Sequence, residues 1–133
     1  MRDAFHGKGK VQIAFRGEEA ILRIDAATTQ TRRLKALLAD FLRKEVAHMR
    51  PGYQPFEVRI WTSETGERNA HDVDNVAKAV LDALNGVFWR DDRQVVRLTS
   101  EKFTGERARI AVRVRPLSKV LDPVEMDVEL FDA

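Results

Sequence analysis

The hydrophobic residues of this chain change their spacing several times, from every second residue to every third or fourth and back again. Alternation with a period of two is typical of a strand with one buried face, whereas the longer spacing is typical of an amphipathic helix. A chain that combines both patterns has to pack its helices against a sheet. The pattern therefore predicts an α+β fold, with a mixed β-sheet of about four or five strands and two main helices.

The boundaries of these elements follow from turn residues and helix ends. Gly17 marks a turn between two alternating segments, which predicts a hairpin. Pro51 and Gly52 end the first helical segment, and Asp74 is the expected N-cap of the second. The predicted elements are strands at residues 11–15 and 20–24, a helix at 34–49, a strand at 56–61, a helix that begins at 74 and ends between 85 and 88, and strands at 94–103 and 107–115.

Composition limits the class of protein. The chain has 133 residues, of which 44% are hydrophobic and 33% charged, and this balance is typical of one globular domain. It contains no cysteine, which excludes a disulfide framework, a thiolate zinc site and a cysteine nucleophile. No apolar run approaches the length of a membrane span. We therefore expect a cytoplasmic protein without a membrane partner.

Charge is distributed unevenly along the chain. Residues 117–133 carry five carboxylates against the single cation Lys119, and their alternating apolar residues could add an edge strand to the sheet. We expect one domain over residues 1–116, followed by this acidic tail. The body is basic, and one face of the last predicted strand carries four guanidinium groups, which suit a polyanionic partner. They belong to Arg107, Arg109, Arg113 and Arg115.

A group of carboxylates surrounds the second predicted helix. Asp72 and Asp74 precede it with a spacing of two, so extended backbone would point both side chains the same way, while Asp91 and Asp92 follow it. Carboxylates that converge repel each other unless a cation lies between them, and oxygen ligands without cysteine favour Mg²⁺, or Mn²⁺, over Zn²⁺. The alternative is that Asp74 only caps the helix and that Asp91 and Asp92 only form a turn.

Lys78 follows Asp74 by four residues and therefore lies on the same helical face. There it could hold a phosphate oxygen or stabilise charge that develops during phosphodiester hydrolysis. The alternative is an ordinary surface pair with Asp82, again four residues further on. Both contacts could coexist.

Residues 71–96 resemble the signature segment of the RusA family of Holliday junction resolvases. They contain an Asp-x-Asp-Asn, a lysine four residues after the second Asp, an Asp-Ala-Leu, and an Asp-Asp after an aromatic pair, in the order HDVDNVAKAVLDALNGVFWRDDRQVV. The resemblance implies a RusA-like fold and a magnesium-dependent endonuclease, bacterial or phage-encoded, that acts as a homodimer. It implies catalytic roles for Asp72, Asp74, Lys78 and Asp92, and metal ligands at Asp72, Asp74, Asp91 and Asp92.

The leading hypothesis is therefore an endonuclease that is selective for DNA structure and resolves four-way junctions by paired nicks in recombination and repair. Asp72, Asp74 and Asp92 would converge on one Mg²⁺, and the four arginines of the last strand would position the DNA backbone. Two alternatives remain open at this stage. One is a branched-DNA binding module that does not cut, and the other is a metal-dependent hydrolase that acts on RNA or on small phosphate esters.

Overall fold

A computed structural model describes residues 4–25, 31–65 and 72–118. It confirms the predicted α+β fold, because a mixed sheet packs against two helices in the described part of the chain. The elements are β1 (Val11–Arg16), β2 (Glu19–Ile24), α1 (Thr31–Glu45), β3 (Phe56–Glu64), α2 (Val73–Leu84), a short 3₁₀ turn (Asp92–Gln94), β4 (Val95–Thr104) and β5 (Arg109–Pro116).

The sheet has the strand order β1-β2-β5-β3-β4. Every neighbouring pair is antiparallel except β3 and β4, which run parallel. Parallel neighbours need a crossover, and α2 provides it between these two strands. The crossover places the start of α2 beside the end of β3, and it brings the chain back through residues 85–94 to the start of β4.

Apolar residues alternate along the strands, so one face of the sheet is apolar, and the two helices cover it. The inward residues of β1, β2, β3 and β5 pack with α1 and α2 into a single core. Trp89 lies in this core with no exposed surface, and its ring contacts that of Phe56 with centroids 5.6 Å apart. The largest buried aliphatic side chains of the core are Ile13, Leu22, Ile24, Leu34, Leu38, Leu42, Ile60 and Leu84. The two amphipathic patterns thus determine which face of the sheet the helices cover.

The opposite face of the sheet carries polar and aromatic side chains, and no helix of the described chain covers it. Glu57 lies at its centre and pairs with Arg115 at 2.6 Å and with Arg97 at 3.6 Å. Arg113 pairs with Glu19 on β2, and this contact raises the pKa of the Arg113 guanidinium. Much of the positive charge on this face is therefore neutralised within the sheet.

No helix in the described segments is long and apolar enough to cross a membrane. The edge strand that the sequence suggests for residues 117–133 falls, from residue 119 onward, outside the described residues. The domain boundary at residue 116 and the tail therefore stay predictions.

Candidate active site

The start of α2 differs from its prediction. The helix begins at Val73, with the N–H of Val76 donating to the Asp72 carbonyl at 2.9 Å. Asp72, in extended conformation, is therefore the N-cap, and Asp74 lies in the first helical turn. The prediction that Asp74 caps the helix and that both residues are extended was wrong, because the helix starts earlier than the apolar spacing indicated. A carboxylate in the first turn is stabilised by the positive end of the helix dipole.

Asp72 and Asp74 nevertheless lie together at this helix end. A hydrogen bond shared by the two carboxyls, and the charge of Asp74, raise the pKa of Asp72, and the same hydrogen bond lowers the pKa of Asp74. Asn75 contacts both carboxyls, through its side-chain amide to Asp72 at 3.5 Å and its backbone N–H to Asp74 at 3.1 Å. Asp72 is thus the carboxyl of the pair that takes up a proton first, while Asp74 stays ionised, which is the behaviour of like charges at close range.

A groove of about 460 Å³ runs between α2 and the edge strand β4. Asp74, Lys78 and Asp92 all line it, together with Leu98 and Ser100 of β4. Ser100 fixes the geometry at the end where α2 begins, because its hydroxyl donates to the Val73 carbonyl at 2.8 Å. The structure therefore brings two predicted acidic residues and the predicted lysine to one concave surface.

Lys78 is exposed in this groove and forms no ion pair with any residue that the structure describes. Its alternative partner, Asp82, instead faces Lys35 of α1 across a distance of 3.8 Å. The helix-surface pair that the spacing allowed is therefore not formed, and the ammonium group remains directed at the groove. An exposed cation between carboxylates is suited to an anionic ligand such as a phosphodiester.

The two aspartates after α2 have different environments. Trp89 donates its indole N–H to Asp92 Oδ1 at 2.9 Å, so a fully buried ring orients this carboxylate at the groove. Asp91 caps the 3₁₀ turn and pairs with Arg93 at 3.2 Å, which lowers the pKa of Asp91. Asp91 is not among the groove residues. Its role as a metal ligand stays a prediction.

The carboxylates do not form one compact cluster. Within the described segments, no three His, Asp or Glu side chains lie close enough together to hold a single metal ion. Asp74 lies in the first turn of α2, whereas Asp92 follows the end of that helix, so the two line different parts of the groove. Mg²⁺ keeps several of its waters and is usually held by one or two carboxylates plus substrate phosphates. The adjacent Asp72 and Asp74 fit that requirement, and a third ligand from Asp92 stays a prediction.

Lys102 of β4 is a functional candidate that the sequence analysis missed. Its charge lowers the pKa of Asp72, which places it near the acidic pair. It lies on the helix-covered face because the sheet register pairs it with Thr62 of β3, a buried residue of that face. The signal available in the sequence was only its alternation with Ser100 along β4.

Gln94 is a second residue that the sequence analysis missed. Its amide donates to the Gly52 and Gln54 carbonyls at 2.9 and 3.0 Å, and its oxygen accepts from the N–H groups of Arg90 and Asp91 at 2.9 and 3.1 Å. One side chain therefore connects the segment before β3 to the segment that carries Asp92. The Asp-Asp sequence is held in place by a neighbour two residues further along the chain.

Replacing Gln94→Glu is expected to lower the free energy of unfolding by about 1–3 kcal/mol, because a carboxylate cannot donate to the two carbonyls that the amide contacts. Urea denaturation measures this change. The matched control is Gln54→Glu, an exposed glutamine whose side chain forms no hydrogen bond in the described structure, and it should change stability by less than ~0.5 kcal/mol. Equal effects of the two variants would contradict the connecting role of Gln94.

The four arginines predicted to contact DNA lie in different environments. Arg113 and Arg115 are half-buried and paired with glutamates, so their charge is compensated within the sheet. Arg107 lies 3.7 Å from Asp25, and Arg109 is exposed with no ion pair among the described residues. The positive charge of the four arginines that remains available to a ligand is therefore concentrated at Arg107 and Arg109.

The chain is similar to known proteins in three comparisons. A family model described as Endodeoxyribonuclease RusA matches residues 25–115. The uncharacterized protein YqaN of Bacillus subtilis (strain 168) is 49% identical over 47 residues, which are 35% of this chain and 33% of that protein. The OmpA-like domain of FopA1 from Francisella tularensis subsp. tularensis SCHU S4 covers 84% of this chain and 83% of its own, at 13% identity and a TM-score of 0.33.

The family match decides the class of this protein. The structural similarity is too low to inform fold or function, and the chain spans only about a third of the length of the curated relative that it matches. The family model, in contrast, covers well over half of the chain, including both groups of aspartates and Lys78. The chain is a member of the RusA endodeoxyribonuclease family. The resemblance noted over residues 71–96 is thereby confirmed.

Proposed function

We propose that this protein is a magnesium-dependent endonuclease that resolves four-way DNA junctions by paired nicks, in DNA recombination and repair. The observation that carries the proposal is the groove between α2 and β4, which Asp74, Lys78 and Asp92 line, with Asp72 beside Asp74. The groove combines carboxylate oxygens for a divalent cation with an ammonium group for a phosphate. Its open form suits a polymer that passes along the protein surface.

Each residue of the groove has a distinct proposed role. Asp72 and Asp74 would hold Mg²⁺, or Mn²⁺, with their adjacent carboxylates. Lys78, one turn further along α2, would contact a non-bridging oxygen of the scissile phosphate and stabilise the charge that develops there. Asp92, oriented by the Trp89 indole, would position or deprotonate the attacking water from its own part of the groove. The chemistry that the ion supplies when bound is charge neutralisation and activation of water.

Two symmetric cuts require two active sites, so we propose a homodimer with twofold symmetry that matches the symmetry of a four-way junction. Contacts between basic side chains and phosphates would position the arms without reading their bases. Binding should therefore weaken steeply with salt, because each phosphate contact releases a counterion.

The proposal is tested with a supercoiled plasmid that extrudes a cruciform. Nicking one strand relaxes the plasmid and reabsorbs the cruciform, so linear product forms only when both nicks are made while the junction is bound. We expect linear product with Mg²⁺ or Mn²⁺ and no product with a chelator. A plasmid without the inverted repeat, linear duplex, single strand and RNA serve as comparison substrates.

Each alternative function predicts a different product pattern in this assay. Binding to the cruciform without cleavage in the presence of any metal would favour the branched-DNA binding module that does not cut. Cleavage of RNA in preference to the cruciform would favour the metal-dependent hydrolase of RNA or small phosphate esters. Nicked circles alone would contradict paired cutting. Analytical ultracentrifugation of the protein with and without junction DNA measures the proposed dimer directly.

A further inference from the structure

A second concave surface lies on the face of the sheet that the helices leave open. Its volume is about 630 Å³, within the range of pockets that hold ligands of nucleotide size. It is formed where the end of β3, the end of β4 and the start of β5 meet the end of β2. None of its lining residues belongs to the groove that carries Asp74, Lys78 and Asp92.

Positive charge dominates this pocket. Lys10, Arg23, Arg107 and Arg109 line it, and Asp25 is the carboxylate among its lining residues. Arg109 has no ion pair in the described structure, and Arg107 lies at the long distance of 3.7 Å from Asp25. This surplus of positive charge contrasts with the rest of the open sheet face, where glutamates pair with the arginines. An anionic ligand would compensate the charge that the fold leaves here.

Two aromatic rings share the pocket with these cations. Phe103 of β4 is 52% exposed although it is a large apolar side chain, and Trp61 of β3 lies half-buried nearby. Arg59 lies over the Trp61 ring, 5.0 Å from its centroid, which helps to fix the orientation of the indole. Aromatic rings beside basic groups form a surface on which an unpaired base stacks while its phosphate is neutralised.

The pocket lies directly across the edge strand from the acidic pair. Phe103 points into the pocket, whereas Lys102 and Ser100 of the same strand are on the opposite face, where the Ser100 hydroxyl donates to the Val73 carbonyl at the start of α2. Consecutive residues of a strand are about 3.3 Å apart along the backbone and point to opposite faces. β4 is an edge strand, so a nucleic acid chain that bends around it can contact both faces at once.

We infer that this pocket binds an unpaired deoxynucleotide that flanks the scissile phosphate. The base stacks on Phe103 and Trp61, while Arg107 and Arg109 neutralise its phosphates. In a duplex both faces of a base are covered by its neighbours, so stacking on these rings requires a strand that is open next to the cut, as at the branch point of a junction. The inference rests on the proposed nuclease function for its biological meaning, but binding to the pocket is measurable without cleavage.

The test measures fluorescence anisotropy of a labelled 12-nucleotide oligothymidylate in a chelating buffer, with the full chain. Phe103→Ala should weaken binding about tenfold or more, because stacking on an aromatic ring contributes strongly to affinity for single strands. Arg109→Gln should weaken binding and reduce the slope of log affinity against log salt by about 0.7. An abasic oligonucleotide of equal length should bind the unmodified protein more weakly than oligothymidylate does.

Two matched controls separate the pocket from general surface effects. Tyr53→Ala removes another exposed aromatic ring outside the pocket, and Arg16→Gln removes an exposed guanidinium from the far end of β1 on the same sheet face. Both should bind as the unmodified protein does, apart from the loss of one general charge. Because Phe103 and Arg109 are exposed, circular dichroism should show that their variants stay folded.

The outcomes distinguish this inference from the proposed function. If Phe103→Ala and Arg109→Gln bind oligothymidylate normally while the unmodified protein cuts junctions, the pocket inference is overturned and the nuclease proposal stands. If the abasic and base-bearing strands bind equally, the pocket is only an anion site, and the inference again fails. Loss of strand binding in both variants, in a protein that cuts no DNA, would support the pocket and refute the proposed cleavage.

Discussion

Replacing Asp74→Asn is expected to reduce cleavage of a four-way junction by about a thousandfold or more while leaving junction affinity nearly unchanged. The carboxylate lies beside Asp72 at the start of α2, and an amide cannot provide the negative charge that a bound Mg²⁺ requires. A loss of ~4 kcal/mol in transition-state stabilisation corresponds to about three powers of ten in rate. Single-turnover cleavage and gel-shift titration measure the two quantities separately.

The matched control for this prediction is Asp40→Asn on α1. Asp40 is also a helical aspartate, it is partly exposed, and its partners are Arg43 and Lys44 on the same helix. The same chemical change there should leave the cleavage rate within about twofold, since surface ion pairs contribute little. If Asp74→Asn cuts junctions as fast as Asp40→Asn does, the assignment of the acidic pair is wrong.

Replacing Trp89→Ala is expected to lower the free energy of unfolding by about 3–5 kcal/mol, the largest stability effect that we predict. Trp89 is completely buried, and its ring contacts those of Phe56 and Phe88. Removal of the indole leaves a cavity that these neighbours cannot fill and takes a donor from Asp92. A loss of this size is a large share of the usual stability of a small domain. Urea denaturation followed by circular dichroism measures it.

The variant Trp89→Phe separates packing from orientation of the carboxylate. Phenylalanine retains most of the apolar volume but has no N–H for Asp92, so we expect a smaller loss of stability, about 1–2 kcal/mol, together with slower cleavage. Comparing the cleavage rates of the variant and the unmodified protein at a temperature where both are fully folded separates the effect on cleavage from the loss of stability. Unchanged cleavage in a folded Trp89→Phe protein would show that the indole does not act through Asp92.

The two faces of the sheet show what a sequence pattern can predict and what it cannot. Alternation in β5 correctly predicted that Val112 and Val114 face inward, since a strand of period two has only two sides. It also placed the arginines of this strand together on the other face. It could not predict which of them are neutralised, because Arg113 pairs with Glu19, 94 positions away in the chain. Ion pairing between strands depends on strand order, which local patterns do not encode.

The acidic site also combines features that the sequence predicts with features that depend on the tertiary structure. The spacing of Asp72, Asp74 and Lys78 indicated a common position, and the structure brings the two carboxyls into contact although the helix starts one residue before Asp74. No local pattern indicated that a buried indole orients Asp92, or that Lys102 of β4 lies near Asp72. These contacts arise only when the crossover through α2 brings β4 beside β3.

Periodicity by itself determined the fold class and the approximate elements, and the motifs of residues 71–96 indicated the family by resemblance, because helical and strand spacings and a dense signature segment are local properties of the chain. The tertiary structure alone decided where charge remains available. It neutralised Arg113 and Arg115 and left Lys78 and Arg109 open, the first in the groove and the second in the pocket. The physical reason is that electrostatic compensation acts over a few ångströms in space, regardless of separation along the sequence.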